Sequence, residues 1–196
     1  MKNTQIIAEI GINHNGELSI AKKLIDVAAV AGCDYVKFQK RTPEICVPEE
    51  QKFKMKQTPW GEMSYLEYKE RTEFGKDEYD EIDLYCKVKG IKWFASVWDT
   101  ESVEFMANYV DITKVPSALI TNEELLKSAR EANDYFMFST GMSDEKDIEH
   151  AVEIGDPDLL FHTNSTYPCP VDELNLNYIK WLKEKKERMK RYTELV

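Results

Sequence analysis

The chain has 196 residues, 42% hydrophobic and 32% charged, with a formal net charge of −10. That length supports one sizeable core, and the acidic balance argues against a nucleic-acid surface or an anionic membrane as partner. No apolar run reaches membrane-spanning length and no signal peptide precedes the first strand-like segment, so a cytoplasmic protein is expected.

Residues 5–12 (QIIAEIGI) form a short apolar strand that runs into Asn13-His14-Asn15-Gly16, a turn. Residues 18–31 carry helical spacing, and Gly32 suits the helix C-cap. Residues 34–39 (DYVKFQ) make a second strand. Residues 40–75 are long and irregular where ~2–6 residues are usual, and are expected to be functional or mobile with a little structure of their own. A helix over 76–89 ending at Gly90 precedes a third strand at 93–97, and a fourth strand lies at 111–115. Thr121-Asn122-Glu123-Glu124 reads as a capping box for a helix to about Ala132. A fifth strand at 135–140, a helix from Ser143-Asp144-Glu145 to about Ile154, a sixth strand at 158–162 and a last helix at 174–187 complete the pattern. Alternating short apolar strands and helices predict a parallel α/β protein, here one domain over residues 1–196.

In a (β/α) barrel, function sits at the C-terminal ends of the strands, so the polar residues there form one set. They are Glu9 and His14; Lys37 and Gln39, two apart and so on one face; Ser96; Lys114 and Ser117; Ser139 and Thr140; His162, Ser165 and Tyr167. Lys, hydroxyls, Gln and Glu together suit a phosphate or carboxylate and a polyhydroxylated partner. Lys37, Lys114 and Glu9 lie inside apolar strands, where an unpaired charge is costly and a functional reason is expected. Ser96 and Ser139 could equally cap the following helices. His14 reads as a turn residue and His150 as solvated. Cys169 has no activating neighbour, and the charge run 183–190 reads as a solvated helix face. Cys33, Cys46, Cys86 and Cys169 show no CxxC pair and read as reduced thiols, most of them small core residues. Three histidines are too few for a His-rich metal centre.

Five segments in order resemble one family: AEIGINHNG at 8–16, GCDYVKFQKRTPE at 32–44, TPWGEMSYLEYKERTEFG at 58–75, FSTGMS at 138–143 and HTNSTYPCPVDELNLN at 162–177. They resemble the N-acetylneuraminate (sialic acid) synthases, a family that includes legionaminate and pseudaminate synthases. The resemblance implies a TIM-type (β/α) barrel that condenses phosphoenolpyruvate with an N-acetylated amino sugar of the N-acetylmannosamine type, giving a nine-carbon 2-keto sugar acid and phosphate. It implies that Lys37, Lys114, Ser117 and Ser139 hold phosphoenolpyruvate, that Gln39 and Tyr167 meet the sugar, and that Glu9 handles a proton or positions water. Ser96 lies beside a family phosphoenolpyruvate position that is Val97 here, and Ser165 stands where some members have Asn.

The family uses a divalent metal, Mn or Mg, held by two histidines on a seventh and an eighth strand, and continues into an antifreeze-like domain. None of these has a counterpart in this sequence. The barrel is therefore expected to be incomplete, with about six βα units of the eight that take ~250 residues. A homodimer or a complementing C-terminal polypeptide is the partner expected. The alternative is an inactive fragment or subunit that binds a phosphorylated ligand or sugar without turnover; a Schiff-base aldolase on Lys37 or Lys114 is a third reading.

Overall fold

In the computed structural model, which describes residues 4–166 and 168–193, the apolar runs become short parallel strands and the periodic segments become helices. The chain divides into two units, residues 1–110 and 111–196.

The first unit contains β1 (Ile7–Gly11), α1 (Leu18–Val30), β2 (Tyr35–Lys40), α2 (Pro43–Cys46), α3 (Glu49–Lys52), β3 (Met55–Thr58), β4 (Gly61–Ser64), α4 (Tyr65–Thr72), α5 (Lys76–Lys89), β5 (Lys92–Val97) and α6 (Thr100–Met106). β1, β2 and β5 pair in parallel, in that order. Glu9 stands opposite Lys37, Lys37 opposite Phe94 and Gln39 opposite Ser96. Because side chains alternate along a strand, these residues share one face of the sheet. Val36, Phe38, Trp93 and Ala95 occupy the other face. There Tyr79 of α5 stacks on Trp93 at 5.7 Å, and Ile25 of α1 and Ile82 of α5 are fully buried. Burying each such side chain contributes ~1.5–3 kcal/mol.

Helix α5 has the bounds its spacing predicts. The Glu78 carboxylate accepts from the Gly75 N–H at 2.9 Å, and Gly90, at φ 69°, closes the helix in the left-handed region.

The stretch 40–75 departs from expectation. It is not irregular: it holds two one-turn helices, the antiparallel β3–β4 hairpin and α4. Ser64 and Glu67 form a reciprocal capping box at the start of α4, with Glu67 N–H donating to Ser64 Oγ at 3.2 Å and Ser64 N–H to Glu67 Oε2 at 2.8 Å.

The second unit contains β6 (Ile112–Val115), α7 (Glu123–Ala132), β7 (Tyr135–Ser139), α8 (Glu145–Gly155), β8 (Leu159–Phe161) and α9 (Tyr178–Thr193), with 3-10 turns at Ser117–Leu119 and Val171–Glu173. β6, β7 and β8 pair in parallel, placing Lys114 opposite Met137 and Ser139 opposite Phe161. Leu125, Leu126, Phe136, Phe138 and Ile148 form its core.

Two local readings are corrected here. Helix α7 is capped by Asn122, whose side chain accepts from the Leu125 N–H at 3.0 Å, so the cap falls one residue after Thr121. Helix α9 starts at Tyr178 instead of residue 174, because residues 171–173 are spent on a 3-10 turn after Pro170. Among the described residues no helix is long and apolar enough to cross a membrane.

Candidate functional site

The polar face of the first unit is organised around Lys37. Its ammonium, buried at 5% exposure, lies 2.7 Å from Glu9 Oε1 and donates to Ser96 Oγ at 3.1 Å. Three of the predicted residues thus meet. Contrary to expectation, Glu9 is not a buried charge: its side chain is 66% exposed. Glu9 stands on β1, at the edge of this unit's sheet, and its side chain reaches solvent while its carboxylate turns to Lys37. The cost of burial applies to Lys37, which the pair and the Ser96 bond offset.

Gln39 lies two residues further along β2. Its backbone carbonyl accepts from the buried Tyr79 hydroxyl at 3.0 Å. Its side-chain carbonyl accepts from Arg41 Nη2. Arg41 is itself buried, with Nε 2.6 Å from Glu73 Oε1 and its guanidinium 4.7 Å from the Trp98 ring. Burial pushes the Glu73 carboxyl above its ordinary range, against the pull of Arg41 and Lys40. Neither Arg41 nor Glu73 is conspicuous in the sequence, because they stand 32 residues apart with no motif joining them.

The second unit gathers hydroxyls. Ser117 Oγ and Thr163 Oγ1 are 3.1 Å apart, and the Gly141 N–H donates to both, at 3.1 and 2.9 Å. A Cβ on Gly141 would lie 2.8 Å from Ser165 Oγ, 2.9 Å from Thr163 Oγ1 and 3.1 Å from Ser117 Oγ. Only glycine admits this convergence. Ser139 is buried, and its Oγ has no hydrogen-bond partner among the described residues, an arrangement that calls for an explanation such as a ligand. Lys114, at 9% exposure, holds its ammonium 5.4 Å from the Phe161 ring. A cavity of about 530 Å³ is lined in part by Gly141, Ser143, Thr163, Asn164 and Ser165, whereas Lys114, Ser117 and Ser139 do not line it. Thr163 was not singled out from the sequence, although it lies inside the His162–Asn177 motif. Tyr167 lies outside the described residues.

Of the histidines, His162 lines this cavity, and His14 and His150 are engaged elsewhere. His14, 2% exposed, stacks on Phe74 at 3.9 Å, and its Nδ1 accepts from the Gly16 N–H at 3.1 Å, as a turn residue should. Burial lowers its pKa from 6.5 to about 4, against a backbone bond at Gly11. His162 Nε2 is 2.8 Å from the Leu174 carbonyl. His150 is exposed and pairs with Glu123 at 2.8 Å. All four cysteines are free, but only Cys86 is buried, so the expectation that most are core residues is wrong. Burial, with Asp99 beside it, pushes the Cys46 thiol up to about 12. The residues present do not fit a divalent metal: among those described, no three His, Cys, Asp or Glu side chains converge to hold one.

Residues 24–190 match the NeuB family. The chain belongs to the NeuB family. It is 35% identical over 195 residues to the N,N'-diacetyllegionaminic acid synthase of Campylobacter jejuni, spanning 94% of this chain and 58% of that protein. It is 36% identical over 189 residues to the N-acetylneuraminate-9-phosphate synthase of Drosophila melanogaster, spanning 91% and 50%. In structure it is similar to the N-acetylneuraminic acid synthetase of Leptospira borgpetersenii, solved in complex with citrate, with a TM-score of 0.81 at 31% identity over 92% of this chain and 61% of that one. The chain therefore spans about half the length of the curated relatives it matches. The relatives are named as sugar-acid synthases, and the structural likeness supports an α/β fold of parallel strands for this chain.

Proposed function

We propose that these residues form the substrate-binding part of an incomplete TIM-type barrel whose reaction joins phosphoenolpyruvate to an N-acetylated amino sugar. Lys37 and Ser96 in the first unit, and Lys114, Ser117, Ser139 and Ser165 in the second, are assigned to phosphoenolpyruvate. Gln39 and Tyr167 are assigned to the sugar. The observation that carries this reading is the Gly141 N–H with its ring of hydroxyls, together with the buried Ser139 Oγ, which has no hydrogen-bond partner among the described residues. Converging N–H and O–H donors suit phosphate or carboxylate oxygens, and a nearby ammonium adds charge.

In the proposed reaction, C3 of phosphoenolpyruvate forms a bond to the sugar's aldehyde carbon, and the aldehyde oxygen takes up a proton. Water adds at C2 and loses a proton, and the C2–O bond to phosphate then breaks as the remaining C2 hydroxyl proton passes to the departing phosphate, leaving the 2-keto acid. Glu9 is the candidate for receiving the water's proton. While it pairs with Lys37 its charge is engaged; an anion that draws Lys37 away leaves the carboxylate available as a base. No step is routed through a metal: among the described residues no donor set converges to hold one.

A second reading is that this chain binds ligand without turnover. Calorimetry separates the outcomes. Phosphoenolpyruvate is expected to bind the 196-residue chain, with binding abolished in Lys114→Ala. Absence of binding to the parent chain would overturn both readings. Phosphate release with N-acetylmannosamine and Mn, at the rate of a full-length relative, would exclude the second.

A further inference from the structure

The Gln39 amide has a fixed polarity. Its carbonyl oxygen accepts from Arg41 Nη2. A guanidinium carries only donors, so the amide must turn its oxygen toward Arg41 and its NH2 away, whichever way an unconstrained amide might point. Nε2 consequently lies on the Gly11 side, 3.4 Å from where a Cβ on Gly11 would stand. Arg41 cannot readily turn aside. Glu73 holds its Nε at 2.6 Å and accepts from its backbone N–H at 3.3 Å, and the Trp98 ring covers the guanidinium. Tyr79 meanwhile anchors the Gln39 backbone carbonyl.

We propose that Arg41 is a positioning residue: clamped by Glu73 and Trp98, it locks the Gln39 amide so that the polar face of β2 offers an N–H donor. The ligand atom that Gln39 meets is then an acceptor oxygen, either a carbonyl or a hydroxyl using its lone pair. Only this clause about the ligand rests on the assignment of Gln39 to the sugar.

The test uses the whole chain, ¹⁵N-labelled, with the Gln39 side-chain NH2 signals assigned by their loss in Gln39→Glu. In the parent chain the NH2 group is expected to be rigid by heteronuclear NOE. In Arg41→Met combined with Glu73→Gln, which leaves no buried carboxylate unpaired, it should become mobile. Arg41→Lys, which again offers donors alone, should restore rigidity. If the double variant does not fold, Arg41→Gln replaces it, because its amide can accept as well as donate and so permits the Gln39 group to flip. An NH2 group as rigid without Arg41 as with it would overturn the positioning role. N-acetylmannosamine is expected to shift the NH2 signals, and to bind about fivefold more weakly when the lock is lost, the effect of roughly one hydrogen bond. If mobility follows Arg41 but the sugar leaves the NH2 signals unmoved, the positioning role stands and the sugar assignment of Gln39 falls.

Discussion

Lys37 Nζ lies 2.7 Å from Glu9 Oε1, a pair in which the cation is buried and the anion is largely in water. The asymmetry gives the two partners opposite mutational signatures. Lys37→Met should abolish phosphoenolpyruvate binding. Glu9→Gln should tighten it by a few fold, because the ammonium loses its internal counter-ion, at a stability cost of ~1–3 kcal/mol, since the buried ammonium is then left with the Ser96 hydroxyl. Calorimetric titration of both variants checks this, and weaker binding in Glu9→Gln would contradict it.

Gly141→Ala separates folding from binding. The three atoms nearest to the added methyl are hydroxyl oxygens that can rotate or shift, at 2.8, 2.9 and 3.1 Å. Melting temperature should therefore change by only a few degrees, a cost of ~1 kcal/mol. Anion affinity should fall at least tenfold, because the donors no longer converge. A large loss of stability with intact affinity would be the contrary result.

His14 makes stability depend on pH. Its folded pKa is about 4, below the ordinary 6.5, so the unfolded chain binds the proton more readily. The contribution is complete above pH ~6.5 and is lost as pH falls toward 4, amounting to roughly 3 kcal/mol. His14→Asn keeps a side-chain acceptor for the Gly16 N–H but cannot titrate. Urea melts between pH 7 and 4 should show a flatter curve for that variant than for the parent chain.

Lys69 should titrate well below the ordinary lysine value. Burial, with Arg41 and Lys56 nearby, lowers its pKa from 10.5 to about 8, although Glu73 pulls the other way. The stem lies against Tyr65 and Tyr68, with Nζ 5.2 and 5.5 Å from their ring centres. After reductive ¹³C-methylation, the Lys69 signal, assigned by its loss in Lys69→Arg, should move between pH 7 and 9. It should move at higher pH in the Arg41→Met, Glu73→Gln variant only if removing the Arg41 charge outweighs losing the Glu73 charge, as the order of the two effects predicts.

The parallel strands and α5 were legible because each rests on a run of apolar residues or a full set of helical repeats, closed by a glycine such as Gly90. The segment after β2 was not. Its helices α2 and α3 span one turn each, too short for periodicity to register, and β3 and β4 are four residues long and mostly exposed. Within the site, Lys37 and Ser96 were found through burial cost and strand position. Glu9 was found for a reason that its exposure removes, since an edge-strand side chain can leave the sheet for water. The Arg41–Glu73 clamp joins residues that share no motif, so only the folded chain brings them to notice.

Gly16, at the turn after β1, has φ +74°, and a Cβ there would fall 2.1 Å from the Arg71 carbonyl oxygen near the end of α4. The hairpin-and-helix segment is thus seated on the first strand's turn with no clearance for even a methyl group, and Phe74 just beyond it stacks on His14. It cannot be treated as a detachable module. A chimera that exchanges residues 43–72 for a relative's segment must carry over the turn at 13–16 as well, because the two surfaces are cut to one another.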